Sequence, residues 1–157
     1  MATTRAGGDR RNLWRHLRLH PARRRTCPRW QADHLASVAL PFSIPLAWDL
    51  ARTVNRMTCH RRMIDAWWKY LRRCDRVESS GLESQAPSFG GRFAFRQQRT
   101  GAKSSTHCWG IAIDLNSASN AQGTCGDMDT GLIEIFRGAG FEWGGDWLGK
   151  IRDDMHF

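Results

Sequence analysis

A histidine and an aspartate flank a short apolar run in the segment S-T-H-C-W-G-I-A-I-D-L-N, which covers residues 105–116. His107 and Asp114 are seven positions apart, and the end of the chain adds a second histidine, His156, three positions after Asp153. Imidazole and carboxylate groups are good zinc ligands, and a zinc ion with three protein ligands keeps its fourth position for water, as catalytic sites do. These residue types therefore indicate a zinc site that could activate water.

The apolar residues between His107 and Asp114 predict a buried strand. A straight strand would separate the two side chains by about 23 Å, at about 3.3 Å per residue. The two residues can bind one metal ion only if the chain bends between them, and Gly110 is the position where a bend costs least. The sequence therefore predicts a bend at Gly110.

Three motifs occur in order along the second half of the chain. They are S-x-H-x-x-G-x-A-x-D over residues 105–114, G-F-x-W-G-G-D-W over 140–147 and D-x-x-H-F over 153–157. Together they resemble the VanY-type zinc peptidases, a family of D-alanyl-D-alanine carboxypeptidases and of L-alanyl-D-glutamate endopeptidases found in phage endolysins. Weaker similarity reaches back to about Pro41, so the resemblance covers roughly three quarters of the chain.

The resemblance implies that His107, Asp114 and His156 bind Zn²⁺. It also places Asp153 at the position of the family's catalytic carboxylate, as a general base and then as an acid to the leaving amine. The adjacent Asp154 is expected to point elsewhere. One departure concerns the terminus: the chain stops one residue after His156, whereas relatives usually continue a little. A ligand so close to a terminus could be poorly held.

Arg96 and Ser105 are the candidates for substrate binding. Arg96 aligns with a family arginine that contacts substrate, and a fixed positive charge there could stabilise the oxyanion of amide hydrolysis. A surface arginine on a strand is the alternative. Ser105 is expected either to hydrogen-bond substrate or to brace its loop. Asp146 and Trp147 are expected to support the ligands, to line the cleft, or to have a structural role alone.

The chain contains five cysteines, and none forms a C-x-x-C pair. This pattern excludes zinc-finger and thioredoxin-like sites, and it favours free thiols over disulfides. Cys59-His60 resembles a Cys-His pair often found in the endolysin-type members. An extra metal ligand is one interpretation of this pair, and a capping or packing role in a helix is the favoured one.

Two elements are predicted upstream of the central motif. Apolar residues at helical spacing, Met63 and Trp67 among them, predict a helix over residues 52–76 with Trp67 and Trp68 in the core. The alternation in residues 92–96 predicts a strand on which Phe93 and Phe95 face the core. Arg92, Ala94 and Arg96 are predicted on the opposite face.

Downstream of the motif, residues 117–129 are predicted to form a long surface loop. A short helix is predicted over residues 130–137, ended by Gly138 and Gly140. The segment 141–147 is rich in aromatic residues and glycine, and it is expected to lie near the site.

The positive charge is concentrated at one end of the chain. Residues 1–30 contain nine arginines and one aspartate, whereas residues 31–157 hold 15 basic and 14 acidic side chains. The overall charge of +9 is therefore poor support for nucleic-acid binding, and no specific nucleic-acid partner is expected. We interpret residues 1–30 as a basic, poorly packed arm and residues 31–157 as a zinc peptidase domain. Contact of the arm with an anionic membrane surface is a sharper alternative, and nucleic-acid contact is a third.

The sequence contains no apolar run of about 18 residues, so no transmembrane helix is predicted. The N-terminal residues are not followed by the apolar stretch of a signal peptide. The protein is therefore expected to be made in the cytoplasm and to reach the cell wall by another exit.

These observations predict a monomeric α+β domain in which a small antiparallel sheet carries the zinc site and helices flank the sheet. The resemblance implies zinc-dependent cleavage of the peptidoglycan stem peptide, with an L-alanyl-D-glutamate endopeptidase of the phage endolysin type favoured. A D-alanyl-D-alanine carboxypeptidase is the enzymatic alternative. A cell-wall or nucleic-acid binding protein with a degenerate site is the non-enzymatic one. The sequence does not fix the scissile bond or the host wall type.

Overall fold

The computed structural model describes residues 28–69, 87–98 and 104–157. Most of the predicted basic arm and the end of the predicted helix over residues 52–76 lie outside these residues. The first described element is the short helix α1 (Pro28–His34), which crosses the predicted domain boundary after residue 30. Among the described residues, no helix is long and apolar enough to span a bilayer.

A long antiparallel hairpin follows α1. Strands β1 (Leu35–Leu46) and β2 (Asp49–His60) are joined by a two-residue turn and pair from Leu35 with His60 to Leu46 with Asp49. The register is irregular between Ala39 and Ile44. Pro41, which has no N–H to donate to a ladder of hydrogen bonds, falls within this stretch.

The predicted helix over residues 52–76 is wrong in its first part, because residues 52–60 belong to β2. A 3₁₀ turn (Arg61–Met63) and helical residues 64–69 follow the strand. β-branched side chains such as Val54 favour an extended chain, and pairing with β1 satisfies the backbone groups of this segment. Trp67 is fully buried as predicted, but the prediction for Trp68 is wrong, because 39% of that residue is exposed.

Two short strands complete the sheet in the described part of the chain. They are β3 (Phe89–Gly91) and β4 (Asp114–Leu115), and the strand order is β2-β1-β3-β4. β1 and β3 are parallel, whereas the other neighbours are antiparallel. The predicted α+β class is confirmed, and β4 carries the candidate ligand Asp114.

Residues 92–96 do not form the predicted strand, and the predicted facing of their side chains is wrong. Arg92 is buried and its guanidinium lies 4.5 Å from the centre of the Trp67 ring, whereas Phe95 is 46% exposed. Attraction between a cation and an aromatic face stabilises this placement. Burial lowers the pKa of Arg92 to about 10, so the side chain stays charged at neutral pH.

The second helix, α2 (Thr130–Ala139), confirms the prediction for residues 130–137 and extends two residues further. Asp129 caps its first turn, and Gly140, at φ 100°, ends it in the left-handed conformation. Its buried Phe136 lies at the centre of an aromatic cluster in the core, which also contains Trp67, Phe141 and Phe157. This cluster supports the strand and the terminal segment that carry the candidate ligands.

Candidate metal centre

His107 lies in a 3₁₀ turn (Thr106–Trp109), and the prediction of a strand between it and Asp114 is wrong, because β4 begins only at Asp114. Ser105 caps this turn with its hydroxyl, and Gly110 ends it at φ 65°, a conformation that glycine adopts readily. A side chain at residue 110 would also lie 3.1 Å from the His60 amide nitrogen. The predicted bend at Gly110 is therefore confirmed, and it lets His107 and Asp114 meet although buried residues separate them.

His156 lies in a terminal segment that runs beside β4. The Leu115 amide donates to the Met155 carbonyl (2.9 Å), and Ile113 and Phe157 exchange two backbone hydrogen bonds of 3.0 Å. The ring of Phe157 also stacks on Phe136, with centroids 4.2 Å apart. The expectation that His156 is poorly held is wrong, because sheet pairing and core packing fix the residues on both sides of it.

The three predicted ligands converge on one point. His107 Nε2 and His156 Nδ1 lie 3.0 and 3.1 Å from the same Asp114 oxygen, Oδ1, and 3.2 Å from each other. Ligand atoms at 2.0–2.2 Å from a tetrahedral zinc ion lie about 3.3–3.6 Å apart. In the described part of the chain, this is the group of residues that could hold a metal ion.

The second nitrogen of each imidazole already has a partner. His107 Nδ1 donates to the Arg92 carbonyl, so its Nε2 faces Asp114. His156 Nε2 lies 3.0 Å from the Thr106 hydroxyl, so its Nδ1 faces the same point. Such outer partners fix the tautomer and the orientation of metal-binding histidines. The residues present therefore fit a zinc ion.

Asp114 is buried with its charge balanced. Burial alone would raise its pKa, but the hydrogen bonds from His107 and His156 and their charges lower it well below the usual range. Arg96 adds a positive group 3.8 Å from Asp114 Oδ2. The carboxylate is thus ionised near neutral pH, as a metal ligand must be.

The structure places Arg96 at the mouth of the centre, with 39% of its side chain exposed. Its backbone is fixed on the inner side: the Cys108 thiol donates to the Arg96 carbonyl (2.9 Å), and the Ser105 amide donates to the same oxygen (3.0 Å). This arrangement leaves the guanidinium available to a ligand in the cleft. Ser105 braces the turn of His107 and also lines the cleft.

An open cleft lies beside the three ligands, and His156 forms part of its wall. Its walls are formed by Arg96, Gln98, Ser105, Thr106, Gln122, Trp147, Ile151, Asp153, Met155 and His156. The two neighbouring carboxylates at its base differ in environment. Asp153 lines the cleft, whereas Asp154 is turned into the protein, where it accepts hydrogen bonds from Arg152 and from the Gly126 amide. Arg152 holds the pKa of Asp154 below its usual range.

Residues 98–157 match the model of the D-alanyl-D-alanine carboxypeptidase family. The match confirms the predicted resemblance over these residues, which include His107, Asp114, Asp153 and His156. No curated protein and no solved structure matches the chain significantly.

Several residues of this centre were not predicted from the sequence. Thr106 and the Arg92 carbonyl orient the two histidines, and Gln98 and Gln122 line the cleft. Thr106 is adjacent to His107 in the chain, so its position could have suggested a role. The contact from the Arg92 carbonyl depends on folding between distant segments and has no local signal.

Other predicted positions have structural roles. Asp146 forms an exposed ion pair with Arg137, outside the residues that line the cleft, whereas Trp147 lies in the cleft wall with its ring 5.2 Å from His156. The Cys59-His60 pair is buried, and His60 caps the turn after β2 by accepting the Arg62 amide hydrogen. The pair ends a strand and not a helix, but it caps and packs as favoured.

The Gly144 backbone holds the terminal segment, and its substitution should weaken metal binding. Its amide donates to the His156 carbonyl (2.7 Å), and a Cβ at residue 144 would lie 2.4 Å from the Asp153 carbonyl oxygen. We expect Gly144→Ala to lower stability by about 1–3 kcal/mol through overpacking and to lower zinc affinity at least tenfold. Urea denaturation and zinc competition titration measure the two effects.

The control for Gly144→Ala is Gly138→Ala, an exposed position inside α2. Alanine there should raise stability by about 0.5–1 kcal/mol and leave zinc affinity unchanged. Unchanged zinc affinity in folded Gly144→Ala would contradict the role of this backbone contact.

Proposed function

We propose that the chain is a zinc-dependent peptidase of the peptidoglycan stem peptide, and specifically an L-alanyl-D-glutamate endopeptidase of the phage endolysin type. The observation that carries the proposal is the convergence of His107, Asp114 and His156 on one point, beside an open cleft that His156 lines. The family match over residues 98–157 supports a peptidase that acts on peptidoglycan. A complete ligand set in a buried, pre-oriented arrangement argues against a degenerate site.

The chain's own residues supply the remaining groups for amide hydrolysis. A bound zinc ion would polarise the scissile carbonyl and lower the pKa of the attacking water. Asp153, in the cleft beside His156, would accept the proton of that water and pass it to the leaving amine. Arg96 would hold its positive charge near the developing oxyanion or near a substrate carboxylate.

The alternative activity, a D-alanyl-D-alanine carboxypeptidase, is favoured by the description of the matched family. The two activities differ in the product, so mass analysis of muropeptides after digestion of purified peptidoglycan separates them. We expect glycan fragments that end in L-alanine together with peptides that begin with D-glutamate. Loss of single terminal D-alanine residues would instead establish the carboxypeptidase. Unchanged muropeptides with zinc-loaded protein would contradict both.

The basic arm is proposed to act separately from catalysis, at an anionic membrane surface that the protein meets on its way from the cytoplasm to the wall. A chain beginning at Pro28, which keeps α1 intact, should hydrolyse purified peptidoglycan at a rate within about twofold of the full chain. Arginine side chains near an anionic surface contribute about 1 kcal/mol each, and salt weakens this attraction. The contribution of the arm to membrane affinity is measured by comparing vesicle binding of the two chains at low and at high salt. Equal binding at low salt would contradict this role.

A further inference from the structure

The tip of the β1–β2 hairpin exposes two large apolar side chains that are two positions apart in the chain. Trp48, in the two-residue turn, is 65% exposed, and Leu50, two positions later, is 69% exposed. Single exposed apolar residues are common on soluble proteins, but an exposed tryptophan and an exposed leucine at one hairpin turn are a candidate contact site. Neither residue lines the cleft, so the proposed activity does not account for them.

The strand that continues from this tip is basic. Residues 50–62 contain four arginines and no acidic residue. Arg52 and Arg56 are exposed on β2, and Arg56 donates to the Ser37 hydroxyl of the neighbouring strand. Asp49 stands between Trp48 and Leu50 in the chain and is only partly exposed. The hairpin thus presents an apolar tip followed by positive charge.

The positive charge of β2 distinguishes between two partners that could contact the hairpin, a second copy of the chain and an anionic lipid surface. β2 is the outermost strand of the described sheet, so its free edge could pair with another strand. A second copy of the chain would bring two arginine-bearing edges together, and their repulsion opposes that pairing. An anionic lipid surface suits both parts of the hairpin, because tryptophan is favoured at the membrane interface and arginine is attracted by anionic headgroups.

We propose that the hairpin tip is a membrane contact site, in which Trp48 and Leu50 enter the interface of an anionic bilayer while Arg52 and Arg56 contact its headgroups. This site is distinct from the basic arm over residues 1–30. It would hold the protein at the bilayer surface independently of whether the cleft contains zinc.

The test uses the full chain and vesicles of phosphatidylglycerol with phosphatidylcholine, with pure phosphatidylcholine as the neutral surface. We expect Leu50→Ser and Trp48→Ser each to weaken binding to the anionic vesicles about fivefold, because each removes an apolar group that leaves water on binding. Leu148→Ser is the matched control, since Leu148 is 87% exposed in another part of the molecule. It should bind as the unchanged chain does.

A second measurement reports insertion directly. Lipids that carry a nitroxide quencher near the headgroup should quench part of the tryptophan emission, and Trp48→Phe should lose that part while binding nearly as well. Arg52→Gln with Arg56→Gln should weaken binding at low salt and have little effect at high salt. Equal binding by Leu50→Ser and the unchanged chain would overturn the proposal. Equal binding to neutral and anionic vesicles would overturn the role of the arginines. An acidic peptide added as a separate probe tests for a protein partner. If Leu50→Ser loses binding to that peptide and keeps its binding to the vesicles, the tip contacts a protein and the proposal is overturned.

Discussion

Asp153→Asn is expected to lower the rate of peptidoglycan hydrolysis by two to four powers of ten and to leave one zinc ion bound. The size follows from the loss of a general base, because asparagine keeps the shape of the side chain but cannot accept the proton. Retained zinc follows from the geometry, since the ligand atoms belong to His107, Asp114 and His156. Rate and zinc content are to be measured on the same preparation.

The neighbouring Asp154→Asn is the matched comparison. Asp154 is buried and accepts hydrogen bonds from Arg152 and from the Gly126 amide. Its substitution should therefore loosen the loop that contains Gly126 and lower the stability of the protein. We expect a lower urea midpoint and a rate within about tenfold of the unchanged protein. Near-normal turnover in Asp153→Asn together with an inactive but folded Asp154→Asn would reverse the assignment of the base.

His107→Ala is expected to abolish stoichiometric zinc binding and, with it, hydrolysis. The variant removes one of three ligands, which should cost more than the ten- to hundredfold loss in affinity typical of an outer partner. Thr106→Val removes only the hydroxyl beside His156 Nε2. Its loss of zinc affinity should therefore be the ten- to hundredfold typical of an outer partner. A zinc competition titration should rank the affinities in the order unchanged protein, Thr106→Val and His107→Ala, from tightest to weakest.

His107 is buried, and alanine leaves a cavity that could unfold the protein. Asp114→Asn is therefore the companion variant, because it keeps the side-chain shape and changes the ligand's charge. Circular dichroism establishes that each variant is folded. Full zinc content in a folded His107→Ala variant would contradict the assignment.

The parts of the site that were predicted from the sequence depend on residue type and order. Two histidines and a carboxylate in ordered motifs specify a ligand set, and Gly110 marks the bend because glycine adopts positive φ readily. The turn around His107 was missed, because the apolar residues that follow it suggested a strand through the whole segment. The cap from Ser105 and the glycine at its end determine the turn instead.

The errors elsewhere share a physical cause, which is contact between distant segments. The spacing of Met63 and Trp67 is helical, but it says nothing about residues 52–60, whose pairing with β1 determines a strand. Alternation assigned Arg92 to the surface, yet the face of Trp67 stabilises its charge in the interior. The anchoring of His156 likewise depends on pairing of Phe157 with Ile113, which no local pattern contains.

His107, Asp114 and His156 are proposed to bind one catalytic zinc ion, and zinc K-edge X-ray absorption of the purified protein identifies the atoms bound to that ion. The five cysteines make a thiolate site the competing arrangement. We predict a first shell of nitrogen and oxygen atoms at about 2.0–2.1 Å with the outer-shell scattering of two imidazoles, and no sulfur. A sulfur shell at about 2.3 Å, or the absence of imidazole scattering, would contradict the account.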